Sequence, residues 1–257
     1  MHLSFSSIKD FKFCPYYYKL TRIDKLKPFK GNIYTAFGTS IHSVCEQTIL
    51  KKGQKFNSVP FFRKELKKEI SLLEEQVSKK QEEEFFSSGV KIIENLESFM
   101  NETFGDYEVV DTEKSLRIPI TFEEEYHNEF DFVGYVDCII RTPDGQHHII
   151  DWKTCSWGWD ARRKNDPMVT YQLSYYKFFY QMLTGLPFDK ISTHFVLMKR
   201  ITKGNPLELV EVSSGKKKTS NALKLLETAA YNVDNENFIK NKLSCSKCDF
   251  NRTKHCP

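Results

Sequence analysis

Two aspartates and a lysine carry the first chemical signal in this sequence: Gly134-Tyr-Val-Asp137, followed by Asp151-Trp-Lys153. Carboxylates are hard oxygen donors of the kind that hold Mg²⁺ or Mn²⁺. Such an ion polarises a phosphoryl oxygen and lowers the pKa of bound water. A lysine beside the pair can orient that water or steady a developing negative charge. The chemistry suggested is hydrolysis of a phosphodiester.

These residues need a scaffold that brings them together, and the intervening sequence supplies one. Residues 132–140 are apolar and β-prone, Pro143-Asp144-Gly145 is a turn signal, and His148-Ile-Ile resumes the strand pattern. A hairpin here carries Asp137 and Asp151 to one end of a sheet. Lys153, two residues beyond Asp151, falls on the same strand face.

Other residues fall at compatible spacings. His42 follows Gly38-Thr-Ser-Ile, with Glu46 one helical turn later. Its imidazole is a candidate nitrogen ligand, or a partly buried side chain that hydrogen-bonds a neighbour. Glu113 ends the first predicted strand and is a candidate carboxylate or a surface charge. Gln172 and Tyr176 are four apart on a predicted helix and share a face. They could touch substrate or support the site, though Tyr176 alone also suits a core.

The wider pattern predicts helices and strands around a single core. A serine-capped helix starts near Leu3-Ser-Phe-Ser6-Ser7, with Cys14-Pro15 interrupting it. A Lys/Pro/Gly-rich loop covers 25–33, and Gly38–His42 opens a second helix to about Lys51. Residues 60–104 read as two charged helices split near Ser87-Ser-Gly89. Strands follow at Tyr107–Val110, Leu116–Phe122, Phe132–Ile140 and His148–Lys153. A helix over Pro167–Leu183, strands at Ser192–Lys199 and Leu207–Val212, and a last helix near Ser220–Lys240 complete the order. No repeat or long linker divides the chain. The expectation is one α/β domain over 1–257, a central mixed β-sheet flanked by helices, with a helical insertion at 55–104.

Bulk properties narrow the function less than the motifs do. The 257 residues are 40% apolar and 28% charged, as in ordinary globular proteins, and net charge is only +4. No global basic field therefore announces nucleic acid. Local runs such as Arg162-Arg163-Lys164, Lys199-Arg200 and Lys216-Lys217-Lys218 are solvated faces or parts of a groove that follows a phosphate backbone. The 21 Phe, 12 Tyr and 3 Trp are mainly core, with some available to stack on bases. No apolar run reaches the ~20 residues that span a bilayer, and the N-terminus lacks a signal-peptide pattern. A cytoplasmic protein is the expectation, a virus- or phage-encoded protein acting in a host cell included.

The order of parts resembles the RecB-like branch of the PD-(D/E)XK nuclease superfamily: Gly38…His42, Gly134-x-x-Asp137, Asp151-x-Lys153, then Gln172-x-x-x-Tyr176. An isolated Asp-x-Lys is common by chance, whereas four motifs in order are not. The resemblance covers about Leu3 to Cys256, leaving 55–104 outside it. It implies a restriction-endonuclease-like fold, with Asp137, Asp151 and His42 as metal ligands and the Trp152 carbonyl joining them. Lys153 would position the attacking water, with Gln172 and Tyr176 supporting substrate or site geometry. The family more often has Glu where this chain has Asp151.

Seven cysteines in a cytoplasmic chain suggest metal chemistry or packing rather than disulfides. Cys245-x2-Cys248-x7-Cys256 has metal-ligand spacing but supplies three thiolates. Cys14, in the Phe13-Cys14-Pro15 turn, is the best fourth. Four thiolates suit a [4Fe–4S] cluster or Zn²⁺. One early and three late cysteines also resemble the iron–sulfur subset of these nucleases, such as AddAB-type helicase–nucleases and CRISPR-associated exonucleases. The resemblance implies a structural staple between residues 241–257 and the Cys14 region. If disulfide loop-closure entropy carries over, such a staple restricts the unfolded chain by roughly 5 kcal/mol. His255, beside Cys256, leaves zinc with a histidine ligand open. Cys45, Cys138 and Cys155 read as packing residues.

The leading expectation is a Mg²⁺- or Mn²⁺-dependent DNA exonuclease of recombination, repair or DNA processing, acting on single strands or duplex ends. A non-catalytic nucleic-acid-binding recombination partner is the alternative, and a metal-stapled scaffold a third. No phosphate-binding loop of the Gly-Lys-Ser/Thr type is present, so unwinding would require a helicase partner.

Overall fold

The computed structural model describes residues 1–26, 30–122 and 126–257. Its centre is a mixed sheet built on β3 (Phe130–Arg141). On one edge β3 pairs antiparallel with the whole of β2 (Glu108–Ile120). The other edge is shared. Near its start β3 meets β1 (His2–Leu3) in parallel, and near its end it pairs antiparallel with β4 (His147–Cys155). The β3–β4 ladder runs from Arg141↔His147 only as far as Cys138↔Ile150. Residues 133–137 of β3 therefore lie between two partners and bridge neither on that edge. The sheet continues through β5 (Ile191–Lys199), parallel to β4, and β6 (Leu207–Glu211), antiparallel to β5.

Helices cover both faces, as a sheet with two apolar faces requires. One apolar cluster joins α1 (Phe5–Phe13), α7 (Pro167–Thr184) and α8 (Lys216–Asp234) to β3 through Phe132, Tyr175, Phe179 and Leu226. The Phe132 and Phe179 rings stack at 4.0 Å. The other cluster joins α3 (Ile33–Leu50), α4 (Ser58–Ser71) and α5 (Lys79–Phe104) to the opposite face through Phe37, Phe62, Ile150 and Trp152. Between α1 and α3 lie a short helix, α2 (Pro15–Tyr18), and a π-helical turn at Lys19–Ile23. A further short helix, α6 (Ala161–Asn165), precedes α7. Among the described residues no helix is long and apolar enough to cross a membrane. The fold is the expected α/β arrangement, a mixed sheet between helical layers.

Several boundaries differ from the sequence expectation for identifiable reasons. The α3 helix begins at Ile33, not near Gly38, because Asn32 and Thr35 form a reciprocal capping box. Of the expected 25–33 loop, residues 27–29 lie outside the described residues. The break between the two charged helices falls at 72–78, where Ser78 caps α5. Gly89, expected at that break, sits inside α5, where a Cβ would come within 2.1 Å of the Phe62 ring. Close helix packing, rather than chain reversal, needs this glycine. The last helix ends at Asp234, where Asn235 caps it and Glu236 turns left-handed (φ 51°).

The two strands expected at 107–110 and 116–122 are one, and Glu113 lies inside it. Glu113 falls between the pairs Thr112↔Cys138 and Lys114↔Val136, which puts it opposite Asp137. Its φ of 49° is left-handed, rare for a residue with a side chain. At the same level β3 loses its period of two. Phe132 and Val136 pack on one side, whereas Cys138 and Ile140 pack on the other. Asp137 stands at the change of phase.

Candidate active site

The opening between β1 and β4 organises the candidate site. Past Ile150 the two strands part, and the freed Trp152 N–H donates to Asp137 Oδ2 at 2.7 Å. The carboxylate thus replaces a missing ladder bond and is fixed by it. His42, from α3 in the other layer, brings Nδ1 to 3.6 Å from the same oxygen. Burial works against a charged His42 ring, but Asp137 and then Asp151 outweigh it and hold its pKa above the ordinary value. Glu113 is pushed up by burial and by the charges of Asp137 and Glu46, with His42 opposing. Four acidic side chains and one histidine therefore share this field.

Asp151 is only 1% exposed. Its Oδ2 accepts from Gln172 Nε2 at 2.7 Å, and its Oδ1 forms an ion pair with Lys153 Nζ. That Oδ1 has no regular hydrogen bond. Burial pushes the carboxyl up to about 6, with Asp137 adding to the shift and Lys153 opposing it. Two carboxylates driven together in this way leave an electrostatic deficit that a cation would relieve. Hard oxygens with an adjacent imidazole fit Mg²⁺ or Mn²⁺ in donor type. Among the described residues, however, no three His, Cys, Asp or Glu side chains are arranged as ready metal ligands.

Gln172 also donates to the Tyr176 hydroxyl at 3.0 Å, and the Tyr135 N–H reaches that hydroxyl from β3. Burial pushes the Tyr176 pKa well above the usual phenol range, so it stays neutral. Gly134 explains the first position of Gly134-x-x-Asp137. A Cβ there would lie 2.7 Å from Tyr176 Cε1 and 3.1 Å from Phe132 Cε1. The glycine lets α7 sit close enough for Gln172 to reach Asp151. Gly38 meets only an ordinary contact, with Thr154 Oγ1 at 3.6 Å from a Cβ.

Lys153, Gln172, Tyr176 and Gly134 line a cleft of about 600 Å³ in the sheet opening. The α1 residues Phe5 and Lys9 close its far wall, with Arg117 from β2. Lys9 and Arg117 stand outside the basic runs of the sequence, which therefore carries no local signal for their place here. For Trp152 the structure shows an N–H bonded to Asp137 and a side chain 1% exposed, its Nε1 unpartnered.

The cysteines divide into two groups. Cys14, Cys245, Cys248 and Cys256 line one cavity of about 350 Å³. Hydrogen bonds hold the tail to the N-terminal helices: Asn241 N–H donates to Cys14 Sγ (3.2 Å), the Asn241 amide to Phe13 O (2.8 Å), and Tyr16 Oη–H to His255 O (3.2 Å). Burial, then the proximity of Cys14 and Cys256, pushes the Cys248 thiol up. Cys45 and Cys138 are fully buried in the α3 face of the core. Cys155 is half-buried beside the Met198 carbonyl (3.8 Å).

A mixed sheet opened around paired aspartates and a lysine is the arrangement to compare with known proteins. The model of the PD-(D/E)XK nuclease superfamily matches residues 2–254, and the chain belongs to that superfamily. The crystal structure of a "Putative exonuclease" from Eubacterium rectale shares the fold. Its TM-score is 0.64 at 16% identity, over 100% of this chain and 90% of that one. A second structure, SSO0001, has a TM-score of 0.38 at 15% identity, over 83% of this chain and 92% of that one. No curated protein matches.

Proposed function

We propose that this chain is a metal-dependent DNA nuclease of the RecB-like branch, acting as an exonuclease in recombination, repair or DNA processing. The carrying observation is the convergence of Asp137, Asp151, Lys153 and Gln172, from three elements, at one opening of the sheet. The exonuclease-named structural neighbour supports the end-acting reading. Asp137 and Asp151 would hold Mg²⁺ or Mn²⁺, with His42 and the Trp152 carbonyl completing the ligand set. A bound ion would polarise the scissile phosphate and lower the pKa of water.

The chain's own residues supply the rest. Lys153 carries a positive charge at Asp151, where it can hold a water by hydrogen bonding and offset negative charge developing on the phosphate. Gln172 fixes the Asp151 carboxylate, and Tyr176 fixes Gln172. In-line attack breaks the phosphorus–oxygen bond to the leaving 3′ oxygen, which takes a proton, and leaves a 3′-hydroxyl and a 5′-phosphate.

The test is digestion of 5′- and 3′-labelled single- and double-stranded DNA. The account expects cleavage from an end with Mg²⁺ or Mn²⁺ and none in EDTA. Digestion that is undiminished in EDTA would remove the metal from the account.

The cysteine cavity is read as a structural [4Fe–4S] site, formed by Cys14, Cys245, Cys248 and Cys256 and tying the two ends of a single 1–257 domain. Four cysteines lining one cavity, with an N–H donated to Cys14 Sγ, are donors of the type a soft metal group takes. Cys14→Ser is expected to abolish the brown colour and visible absorbance of the pure protein and to cost about 5 kcal/mol of stability. Metal and sulfide analysis decides the identity. Zinc without iron in the wild type would replace the cluster with an ion.

A further inference from the structure

A second cavity, of about 370 Å³, adjoins the candidate site where β4 ends. Tyr34 from the first turn of α3, Ser156, Trp157 and Gly158 from the loop after β4, Arg163 from α6 and Arg200 after β5 line it. Trp157 is 72% exposed and Tyr34 56% exposed. Large aromatic faces left in water at the mouth of a polar cavity await a ligand with a flat apolar face.

The charges around the cavity are sorted. Glu208, whose carboxylate lies beside Gly158 of the lining, is paired with Lys164 (2.7 Å) and Lys199 (3.2 Å). Arg163 and Arg200 form no ion pair with a carboxylate among the described residues. Both guanidinium groups are nonetheless held. Arg200 lies 4.8 Å from the Tyr34 ring and 4.5 Å from Phe85, and its Nη2 donates to Ser156 Oγ at 2.9 Å. Arg163 lies 4.8 Å over Trp159. Stacked guanidinium groups lose little freedom when they take an anion and keep their planar fork of donors.

We infer that this cavity is a substrate subsite that takes an unpaired nucleotide next to the scissile bond, with its base on Trp157 and its phosphate between Arg163 and Arg200. The inference rests on the nuclease reading and refines its substrate. Trp157 follows Lys153 by four residues, within roughly 13 Å of extended chain, so one strand can engage both. An interior base pair of a duplex is stacked on both faces and offers none to the indole, and the duplex ends present only one outer face each. The subsite therefore selects single strands and frayed ends, through stacking that is tolerant of sequence.

The test is fluorescence anisotropy of a labelled oligothymidylate and of a blunt duplex of equal length, in EDTA so that nothing is cut. Trp157→Ala, a change at an exposed position, is expected to weaken single-strand binding about 10- to 100-fold and leave duplex binding within about twofold. Arg163→Gln is expected to lower the salt dependence of single-strand binding by about one phosphate contact. Single-strand affinity equal to wild type in both variants overturns the subsite, and so does an equal loss on single strands and duplex. If the wild type still cleaves DNA with Mn²⁺, only the subsite has failed. If it neither binds nor cleaves DNA, the nuclease reading fails with it.

Discussion

Asp151→Asn is expected to keep the fold and lose the activity. The carboxylate is 1% exposed, bonded to Gln172 and paired with Lys153. Asparagine keeps the shape and still offers an oxygen to the Gln172 amide, so thermal melting should stay within a few degrees of wild type. It removes the anionic oxygen that would hold a cation and the charge that fixes the Lys153 ammonium. Loss of one such group costs on the order of 10²–10³-fold in turnover, about 3–4 kcal/mol of transition-state stabilisation. Melting curves that coincide while cleavage collapses would locate the effect in chemistry. A variant that melts far earlier would make Asp151 a structural residue instead.

Gly134→Ala is expected to damage the site from a position with no chemistry of its own. The added methyl would stand 2.7 Å from Tyr176 Cε1, closer than real contacts allow. That ring cannot swing freely, because its hydroxyl accepts from Gln172 and its other side is buried. Either Tyr176 or the strand must move, and Gln172 is carried away from Asp151. Overpacking of this kind costs about 1–3 kcal/mol of stability. Displacing a group that orients an essential carboxylate costs about 10- to 100-fold in activity. Tyr176→Phe separates the two contributions, since it keeps the ring and deletes only the hydroxyl. Gly134→Ala should therefore be the more harmful of the pair in both melting and cleavage, and equal effects would contradict the packing argument.

How much of this was legible in the sequence follows the range of each signal. The β3–β4 hairpin was legible because its alternation and its Pro143-Asp144-Gly145 turn are local. The Gln172/Tyr176 pair was legible because four-residue spacing fixes a helix face. The phase change at Asp137 was not, since it sits opposite the left-handed Glu113 of another strand and leaves no local mark. Glu113 accordingly read as a strand end. The start of α3 is set by the Asn32 cap, which lies in a Lys/Pro/Gly-rich stretch that reads as loop, whereas Gly38 inside the helix carries the stronger local signal. Gly89 read as a break because the Phe62 ring that demands it lies on another helix. Arg163 and Arg200 sat in runs that also suit solvated faces, and only the pairing of Glu208 with two lysines separates them.

The central claim is that the sheet opening at Asp137 and Asp151 is a metal-dependent nuclease site. Its most direct test is single-turnover cleavage of one end-labelled DNA strand by wild type and Asp151→Asn, purified side by side, with Mn²⁺ and with EDTA. The account predicts cleavage by the wild type with Mn²⁺ only, and cleavage by the variant reduced at least ~100-fold although it binds the strand. Equal cleavage by the two proteins would contradict it.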